Sequence, residues 1–250
     1  MCIRDSDNLV KVLTREGVEV VFLDSIEGDG IKSMYTRDSA VAVRGGAIVS
    51  RLARRIRRGE EAHVTRTLAR LGMPILRTLH GNALAEGGSF AWLNRNTAVI
   101  GRSICVNDSG CDQIAETLAV QGVELLRIDL CGYEIHIDGA LTMIDVDLAI
   151  VDPAQLPYSF LKKLDALGIS TVEICADDDP WIINCLAVSP GRVLMPRGIS
   201  DTTAKAMEDL NVQVIELDYD KVHLNGGGIH CSTCPLIRDS VYPEGGHDLE

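Results

Sequence analysis

Aromatic side chains are scarce in this sequence, and long apolar runs are missing. Phenylalanine, tyrosine and tryptophan make up 4% of the 250 residues, so the apolar content is mainly aliphatic, as is typical of α/β proteins. No apolar run approaches the ~20 residues that a membrane-spanning helix needs, and no secretory signal pattern opens the chain. We therefore expect an α/β fold and no membrane partner.

Basic residues are also in deficit. The 24 lysines and arginines stand against 36 aspartates and glutamates, which gives a formal net charge of −12. This charge opposes binding to the phosphates of nucleic acid or to anionic lipids. It suits a cationic small-molecule substrate, although an acidic surface also serves solubility. The sequence leaves open whether the chain is a monomer or a homodimer.

The eight cysteines form no recognisable framework. They are scattered and lie mostly in apolar stretches, which fits reduced thiols in the cytoplasm better than disulfides. Cys231 and Cys234 form a CxxC pair that could be redox-active or half of a metal site. No second CxxC or HxxxH pattern completes a zinc site. We therefore expect neither a metal nor another cofactor.

The length allows one large hydrophobic core. We expect a single domain over residues 7–243 and a C-terminal tail over residues 244–250. Residues 1–6 match no element of this domain and are interpreted as a non-native N-terminal extension.

A unit of helix, stop residue and β-branched strand recurs five times. The stops are residues that accept the left-handed conformation at a helix end. They lie 43 to 55 residues apart, at Gly17, Gly72, Gly122, Gly168 and Asn211. Strand pairs are predicted at 39–43 with 47–50, 89–93 with 97–100, 140–144 with 148–151, and 186–188 with 192–195. Five such units predict a cyclic or stacked array, because one unit cannot bury its own apolar face.

A polar cluster follows each stop by about 14 to 21 residues. The clusters contain Asp38, Glu86, His136 with Asp138, Asn184, and His230 with Cys231. Equivalent positions in a closed array point to one axis, so we expect these groups to converge on a single pocket. The last cluster follows the glycines at 226–228, which permit close backbone approach.

A thiol, an imidazole and several carboxylates suit nucleophilic catalysis. Cys231 would be the nucleophile and His136 the acid and base. Asp38, Glu86 and Asp138 would hold a planar cation rich in hydrogen-bond donors, and a guanidinium fits that description. The alternatives are a merely buried thiol at Cys231 and a core histidine at His136.

Five motifs in a fixed order resemble the guanidino-group-modifying enzymes of the pentein fold: arginine deiminases, dimethylarginine dimethylaminohydrolases and amidinotransferases. The motifs are Tyr35-Thr36-Arg37-Asp38, Arg57-Arg58-Gly59-Glu60, Glu86-Gly87-Gly88, His136-Ile137-Asp138 and Gly226-Gly227-Gly228-Ile229-His230-Cys231. The resemblance covers nearly the whole chain. It implies a five-bladed α/β propeller with pseudo-fivefold ββαβ repeats, here a single pentein catalytic domain.

The resemblance also implies residue roles. Cys231 aligns with the nucleophile that attacks the guanidinium carbon, and His136 with the residue that protonates the leaving amine and then activates water. The acidic residues that bind the guanidinium or orient the histidine align with Asp38, Glu86 and Asp138. Arg57 aligns with an arginine that contacts the substrate carboxylate, although a solvated basic face is nearly as good an interpretation of its arginine-rich surroundings.

Two positions depart from the family pattern. In Gly101-Arg102-Ser103-Ile104-Cys105, cysteine stands where relatives often have an arginine that grips the substrate carboxylate. Either that anchor is lost or Arg102 replaces it. Ser89 replaces an expected aspartate. Both changes put free arginine in doubt as the substrate.

The functional prediction is a hydrolase that cleaves a C–N bond of a guanidino compound such as arginine or methylated arginine. It would form a covalent amidino intermediate on Cys231 and release ammonia or an alkylamine. An amidinotransferase, which passes the amidino group to an amine acceptor, is the first alternative. A non-catalytic pentein binding protein is the second.

Overall fold

A computed structural model describes residues 3–24 and 32–239 of the chain. The helices are α1 (Ile3–Arg15), α2 (Glu60–Arg70), α3 (Asp108–Ala119), α4 (Tyr158–Ala166), α5 (Asp201–Asp209) and α6 (Asp220–His223). The strands are β1 (Ala40–Val43), β2 (Gly46–Val49), β3 (Ile75–Thr78), β4 (Phe90–Asn94), β5 (Thr97–Arg102), β6 (Glu124–Asp129), β7 (Leu141–Met143), β8 (Leu148–Val151), β9 (Ser170–Glu173), β10 (Leu186–Ser189), β11 (Arg192–Pro196) and β12 (Gln213–Leu217). Within this described part, no helix combines the length and the apolar content needed to cross a membrane.

In the part of the chain that the structure describes, four three-stranded sheets repeat one plan. In each sheet the first two strands form an antiparallel hairpin, and the third strand pairs parallel to the second after a helix. A parallel partner needs a crossover connection, which the helix supplies. The predicted strand pairs are confirmed at all four places. The α/β class and the ββαβ repeat are confirmed with them.

The predicted helix stops are confirmed by the backbone. Gly17, Gly72, Gly122 and Gly168 have φ between 71° and 82°. Asn211 has φ of 60° and is the one non-glycine residue with positive φ in the described part of the chain. Asparagine tolerates this conformation better than most side chains, so it ends α5 as the glycines end their helices.

The first predicted repeat differs from the other four. Helix α1 and its stop at Gly17 are present, but no strand forms over residues 18–24. The prediction of a strand at 18–21 was therefore wrong. These residues have β propensity, but a strand also needs a neighbouring backbone to pair with. The helix itself begins at Ile3, within the segment to which sequence analysis assigned no element.

Backbone contacts divide the chain into two compact units. The first unit comprises residues 1–22 and 138–231, and the second comprises residues 23–137 and 232–250. Ile150, Val193 and Met207 belong to a buried apolar cluster of the first unit. Ile48 and Ile114 belong to one in the second unit. Each side chain of this size contributes about 1.5–3 kcal/mol when fully buried, so each unit has its own source of stability.

Helix α1 contacts α6 within the first unit. Leu9 and Leu13 are buried four residues apart on one face of the helix. The buried carboxylate of Asp5 accepts hydrogen bonds from the amides of Lys221 and Val222, at 3.0 and 3.4 Å. These amides lie in the first turn of α6, where backbone N–H groups commonly bond to acceptors outside the helix. Asp5 therefore caps α6 from a position 216 residues earlier in the sequence than Lys221.

A short 3-10 turn precedes the first strand of every sheet. These turns span Thr36–Ser39, Gly87–Ser89, Ile137–Gly139 and Pro180–Ile183. Each one either contains or adjoins a polar cluster that the sequence singles out. The repeated fold therefore places those clusters at equivalent positions.

Candidate active site

In the second unit, the imidazole of His136 lies between two carboxylates. Its Nε2 atom is 2.7 Å from Oε2 of Glu86, and its Nδ1 atom is 3.6 Å from Oδ1 of Asp38. The side chain of His136 is 9% exposed. Two carboxylates can stabilise a protonated imidazole and fix the plane of its ring.

Gly88 permits this close arrangement. A Cβ atom at residue 88 would lie 2.8 Å from both His136 Nδ1 and Asp38 Oδ1. The amide of Gly88 also donates to Asp38 Oδ1, at 3.2 Å. Steric crowding therefore explains why residue 88 is glycine, because any side chain there would displace the imidazole of His136 or the carboxylate of Asp38.

Glu86 is held as a charged group. Its Oε1 atom accepts a hydrogen bond from the amide of Ala53, at 2.8 Å, while Oε2 faces His136. Burial raises the pKa of Glu86, but His136, the Ala53 amide and the charge of Arg57 together lower it by more. The pKa of this carboxyl therefore lies below its ordinary value, and Glu86 stays ionised at neutral pH.

Two serines fix the segment that leads into His136. The hydroxyls of Ser89 and Ser103 both donate to the carbonyl of Ile135, at 3.2 and 2.7 Å. Ser89 is the residue that replaces the expected aspartate. It therefore positions the backbone next to the imidazole and adds no charge to the site.

Arg57 is buried between two carboxylates. Its Nη1 donates to Asp38, and its Nη2 donates to Glu60 and to the carbonyl of Tyr35, at 2.8 and 3.1 Å. Nε also lies 3.2 Å from both carboxylate oxygens of Glu60. Burial lowers the pKa of Arg57, but Glu60 and Asp38 raise it by more, so the net shift is upward. The sequence also allowed Arg57 to belong to a solvated basic face. Because Arg57 is only 5% exposed, it is not part of such a face.

In the first unit, Asn184 contacts the predicted nucleophile through both ends of its amide. Its Nδ2 donates to Sγ of Cys231 at 3.2 Å, and its Oδ1 accepts the amide of Cys231 at 3.2 Å. Nδ2 also donates to the carbonyl of Asp138, at 3.1 Å. The cysteine is 7% exposed. A donor aimed at sulfur stabilises a thiolate more than a thiol, because the hydrogen bond to the charged form is stronger.

The carboxylate of Asp138 lies beside the same thiol. Sγ of Cys231 is 3.5 Å from Asp138 Oδ2, and that oxygen is 2.8 Å from Nδ1 of His230. Gly228 makes room for the amide of Asn184, because a Cβ atom there would lie 2.5 Å from Asn184 Oδ1. Asp138 is 2% exposed, so its carboxylate is shielded from bulk water.

The departure at Cys105 involves two residues of known position, Arg102 and Cys105 itself. Arg102 is on the surface, where its guanidinium donates to Asp129 at 2.8 and 2.9 Å and to Asp108 at 2.7 Å. Its guanidinium is thus engaged by two carboxylates in this structure, and whether it replaces the missing arginine stays a prediction. Cys105 is 1% exposed, and its amide donates to Ser103 Oγ at 3.1 Å.

One group of side chains could hold a metal ion. A carboxylate oxygen of Glu86, Sγ of Cys105 and a ring nitrogen of His136 all lie within 4.8 Å of one another. The sequence did not indicate this group, because its members are 19 to 50 residues apart and match no local zinc-binding spacing.

The structure thus places the sequence-predicted residues in two groups. The second unit brings together Asp38, Arg57, Glu86 and His136, and the first unit brings together Asp138 and Cys231. The catalytic and substrate-binding roles of these six residues stay predictions.

The sequence analysis assigned no role to two residues that contact predicted site residues, Asn184 and Glu60. Asn184 stands in one of the recurring polar clusters and was given no role, although its position in the repeat was the available signal. Glu60 belongs to the Arg57-Arg58-Gly59-Glu60 motif, where an acid three residues after an arginine could have indicated an ion pair.

Known proteins match this chain over most of its length. Residues 1–238 match the family described as N,N dimethylarginine dimethylhydrolase, eukaryotic. An arginine deiminase of Rhodococcus erythropolis is 24% identical over 246 residues, covering 83% of this chain and 60% of the deiminase.

Two solved structures share the fold. A DDAH of Pseudomonas aeruginosa, a Cys-to-Ser mutant complexed with citrulline, superposes with a TM-score of 0.80 at 21% identity, covering 92% of this chain and 86% of that one. SxtG, an amidinotransferase from Microseira wollei in the saxitoxin biosynthetic pathway, gives a TM-score of 0.82 at 15% identity, covering 95% and 83%. With the ββαβ repeats, these matches confirm the pentein fold class, while the closed five-bladed arrangement stays an expectation. The family match over nearly the whole length shows that this chain belongs to the dimethylarginine dimethylaminohydrolase family of the guanidino-group-modifying penteins.

Proposed function

We propose that this protein is a hydrolase that cleaves a C–N bond of a guanidino compound through a covalent intermediate on Cys231. The observation that carries the proposal is the setting of the thiol. Asn184 donates to its sulfur at 3.2 Å, and the Asp138 carboxylate lies 3.5 Å away. A carboxylate beside a nucleophile suits a substrate that is itself a cation, because that cation neutralises the carboxylate as it binds.

The first step would be attack on the guanidinium carbon. The guanidinium donates hydrogen bonds to Asp138, and its positive charge favours the thiolate of Cys231. Sulfur then bonds to carbon and gives a tetrahedral adduct. His136, starting as imidazolium, delivers its proton to one nitrogen, that C–N bond breaks, and ammonia or an alkylamine leaves.

The second step would regenerate the enzyme. The neutral imidazole of His136 takes a proton from water, and the resulting hydroxide attacks the carbon of the amidino-thioether. The C–S bond breaks with Cys231 again as thiolate and His136 again as imidazolium, and the hydroxyl proton passes through solvent to the released amine, which leaves a neutral ureido product and an ammonium ion. The atoms balance as guanidinium and water giving a ureido compound and an ammonium ion. The relative complexed with citrulline contains a ureido compound, which supports this direction.

Glu86 and Asp38 would serve the reaction through His136. Glu86, 2.7 Å from Nε2, can accept a hydrogen bond from the imidazolium and hold the ring in one orientation. Asp38 lies on the Nδ1 side and is itself fixed by Arg57 and Gly88. Asp38 is predicted to contact the guanidinium, and Arg57 is predicted to contact a substrate carboxylate. For either contact, the residue would have to exchange a present hydrogen bond within the protein for one to the substrate.

The remaining expectations accompany this proposal. We expect one catalytic domain over residues 7–243, a small guanidino substrate, no bound cofactor and a cytoplasmic location, where thiols stay reduced. Arginine, methylated arginines and agmatine are the substrates to test first.

Mass spectrometry of the intact protein tests the proposal. The protein is mixed with each guanidino compound and quenched in acid after brief incubation, and ureido product and released amine are measured in parallel. We expect an adduct that maps to Cys231, and we expect Cys231→Ser to abolish both adduct and product. Cys131→Ser is the matched control, because Cys131 is an exposed free thiol and should be dispensable. Turnover that persists in Cys231→Ser would refute the proposed nucleophile.

The same panel separates the alternatives. An amidinotransferase forms the adduct but gives product only when an acceptor amine is added, and that product carries the amidino group. A non-catalytic binding protein gives neither adduct nor product with any member of the panel.

A further inference from the structure

His230 is an imidazole next to the predicted nucleophile, and the proposed reaction gives it no role. Its Nδ1 atom lies 2.8 Å from Oδ2 of Asp138, and its side chain is 14% exposed. Cys231 follows it directly in the chain, and Sγ of Cys231 lies 3.5 Å from the same oxygen. One carboxylate oxygen therefore faces both an imidazole and the thiol.

Hydrogen bonds from three segments of the first unit hold these groups together. The amide of His230 donates to the carbonyl of Asn184 at 3.1 Å. The side chain of Asn184 donates to the carbonyl of Asp138 at 3.1 Å and to Sγ of Cys231 at 3.2 Å. The segments are the turn Ile137–Gly139, the residue that follows the turn before β10, and the chain after α6. They bring three ionisable side chains, those of Asp138, His230 and Cys231, to one neutral amide.

A carboxylate beside a thiol opposes ionisation of the thiol, because the thiolate and the carboxylate repel each other. Asp138 is 2% exposed and Cys231 is 7% exposed, so water screens this repulsion weakly. A positive charge on His230 would reduce the repulsion, because an imidazolium that donates to Asp138 Oδ2 makes the pair neutral. The carboxylate at 2.8 Å in turn favours the charged form of the imidazole.

We propose that His230 is a positioning residue for the nucleophile: as an imidazolium it neutralises Asp138 and so makes Cys231 easier to ionise before any substrate binds. In that ionisation the S–H bond breaks and the proton passes to solvent. A guanidinium that later contacts Asp138 adds its own positive charge. The consequence for turnover rests on the proposed function, since it applies only if Cys231 attacks the substrate.

Alkylation of Cys231 by iodoacetamide tests the proposal without substrate. The rate is measured as a function of pH by mass spectrometry of the peptide that contains Cys231, and the midpoint reports the pKa of the thiol. His230→Gln keeps a polar side chain that cannot become charged. We expect this variant to raise the midpoint by about one unit, which makes alkylation about tenfold slower well below the midpoint. His80→Gln, at an exposed histidine of the second unit, should leave the midpoint unchanged.

A double substitution shows whether the effect of His230 passes through Asp138. Asp138→Asn removes the carboxylate, so adding His230→Gln to Asp138→Asn should shift the midpoint no further. A merely structural role of His230 would instead slow alkylation by a similar factor at every pH and in both backgrounds. An unchanged midpoint in His230→Gln, or an equal upward shift in the Asp138→Asn background, would overturn the proposal.

This test and that of the proposed function can fail separately. If the midpoint rises in His230→Gln but the wild-type protein turns over no guanidino compound, the inference about His230 holds and the proposed function fails. If turnover is found and the midpoint does not move, the inference about His230 fails alone. The far-ultraviolet circular dichroism of each variant is checked first, and His230→Asn gives the same comparison if His230→Gln does not fold.

Discussion

A single side-chain amide, that of Asn184, holds both the sulfur and the backbone nitrogen of Cys231, at 3.2 Å each. The two bonds fix the position of the thiol and the local backbone at once. Because Asn184 is 2% exposed, water cannot replace these bonds when the side chain is removed.

Asn184→Ala should therefore reduce kcat/KM by roughly 5- to 150-fold, which corresponds to about 1–3 kcal/mol for an unsatisfied buried partner. The rate of alkylation of Cys231 by iodoacetamide should fall as well, because the thiolate loses a donor. Both quantities are measured against Asn82→Ala, which removes an exposed amide in the second unit and should leave both unchanged. An Asn184→Ala enzyme of full activity would show that the contact has no role in the reaction.

Gly88→Ala should damage the site more than the fold. The added methyl group would lie 2.8 Å from His136 Nδ1 and Asp38 Oδ1, so one of them must move. We expect a loss of kcat with a modest change in the free energy of unfolding.

The comparison for Gly88→Ala is Gly122→Ala. That position has φ of 71° with open space around it, so alanine there should cost about 1–2 kcal/mol of stability and leave kcat intact. Equal loss of kcat in both variants would mean that the effect at residue 88 is general destabilisation.

Arg57→Met should lower the free energy of unfolding by about 3–5 kcal/mol, because it leaves Asp38 and Glu60 buried without their cation. Arg58→Met changes an exposed neighbour and should stay within about 0.5 kcal/mol. Urea unfolding of both proteins measures the difference. In the same proteins, a raised KM for arginine but not for agmatine would support the predicted contact of Arg57 with a substrate carboxylate.

The charge of Glu86 should appear in the pH dependence of stability. Its pKa in the folded protein lies below the ordinary value of 4.5, so its ionisation stabilises the folded state above that value. This contribution is lost as the pH falls from 4.5 through the lowered pKa. The stability difference between wild type and Glu86→Gln should therefore shrink over that interval. A stability difference for Glu86→Gln that stays constant over this interval would contradict the assignment.

Much of the fold could be predicted because it repeats. Stops such as Gly72 and Gly122, and hairpins such as the one joining β4 to β5, depend on local backbone preference and alternation, which a sequence displays directly. The strand predicted at 18–21 failed because strand formation depends on a partner that local sequence does not reveal.

The sequence offered candidate site residues and not their contacts. His136 and Cys231 were proposed from the repeat and the resemblance, and their roles stay predictions. The pairing of Arg57 with Asp38 and Glu60 depends on burial, which an arginine-rich segment does not suggest. The position of Cys105 beside Glu86 depends on a turn held by Ser103, and nothing in the local sequence specifies where that turn points.

The cap that Asp5 provides for α6 sets the timing of folding during synthesis. The carboxylate and the amide of Lys221 are 216 residues apart in the chain. At 5–20 residues per second, α1 leaves the ribosome roughly 10–40 s before the amides that it caps. During that time the apolar face of α1 cannot pack against α6 in the first unit. We therefore expect the segment that carries Cys231 to be completed only after both α1 and α6 have been made.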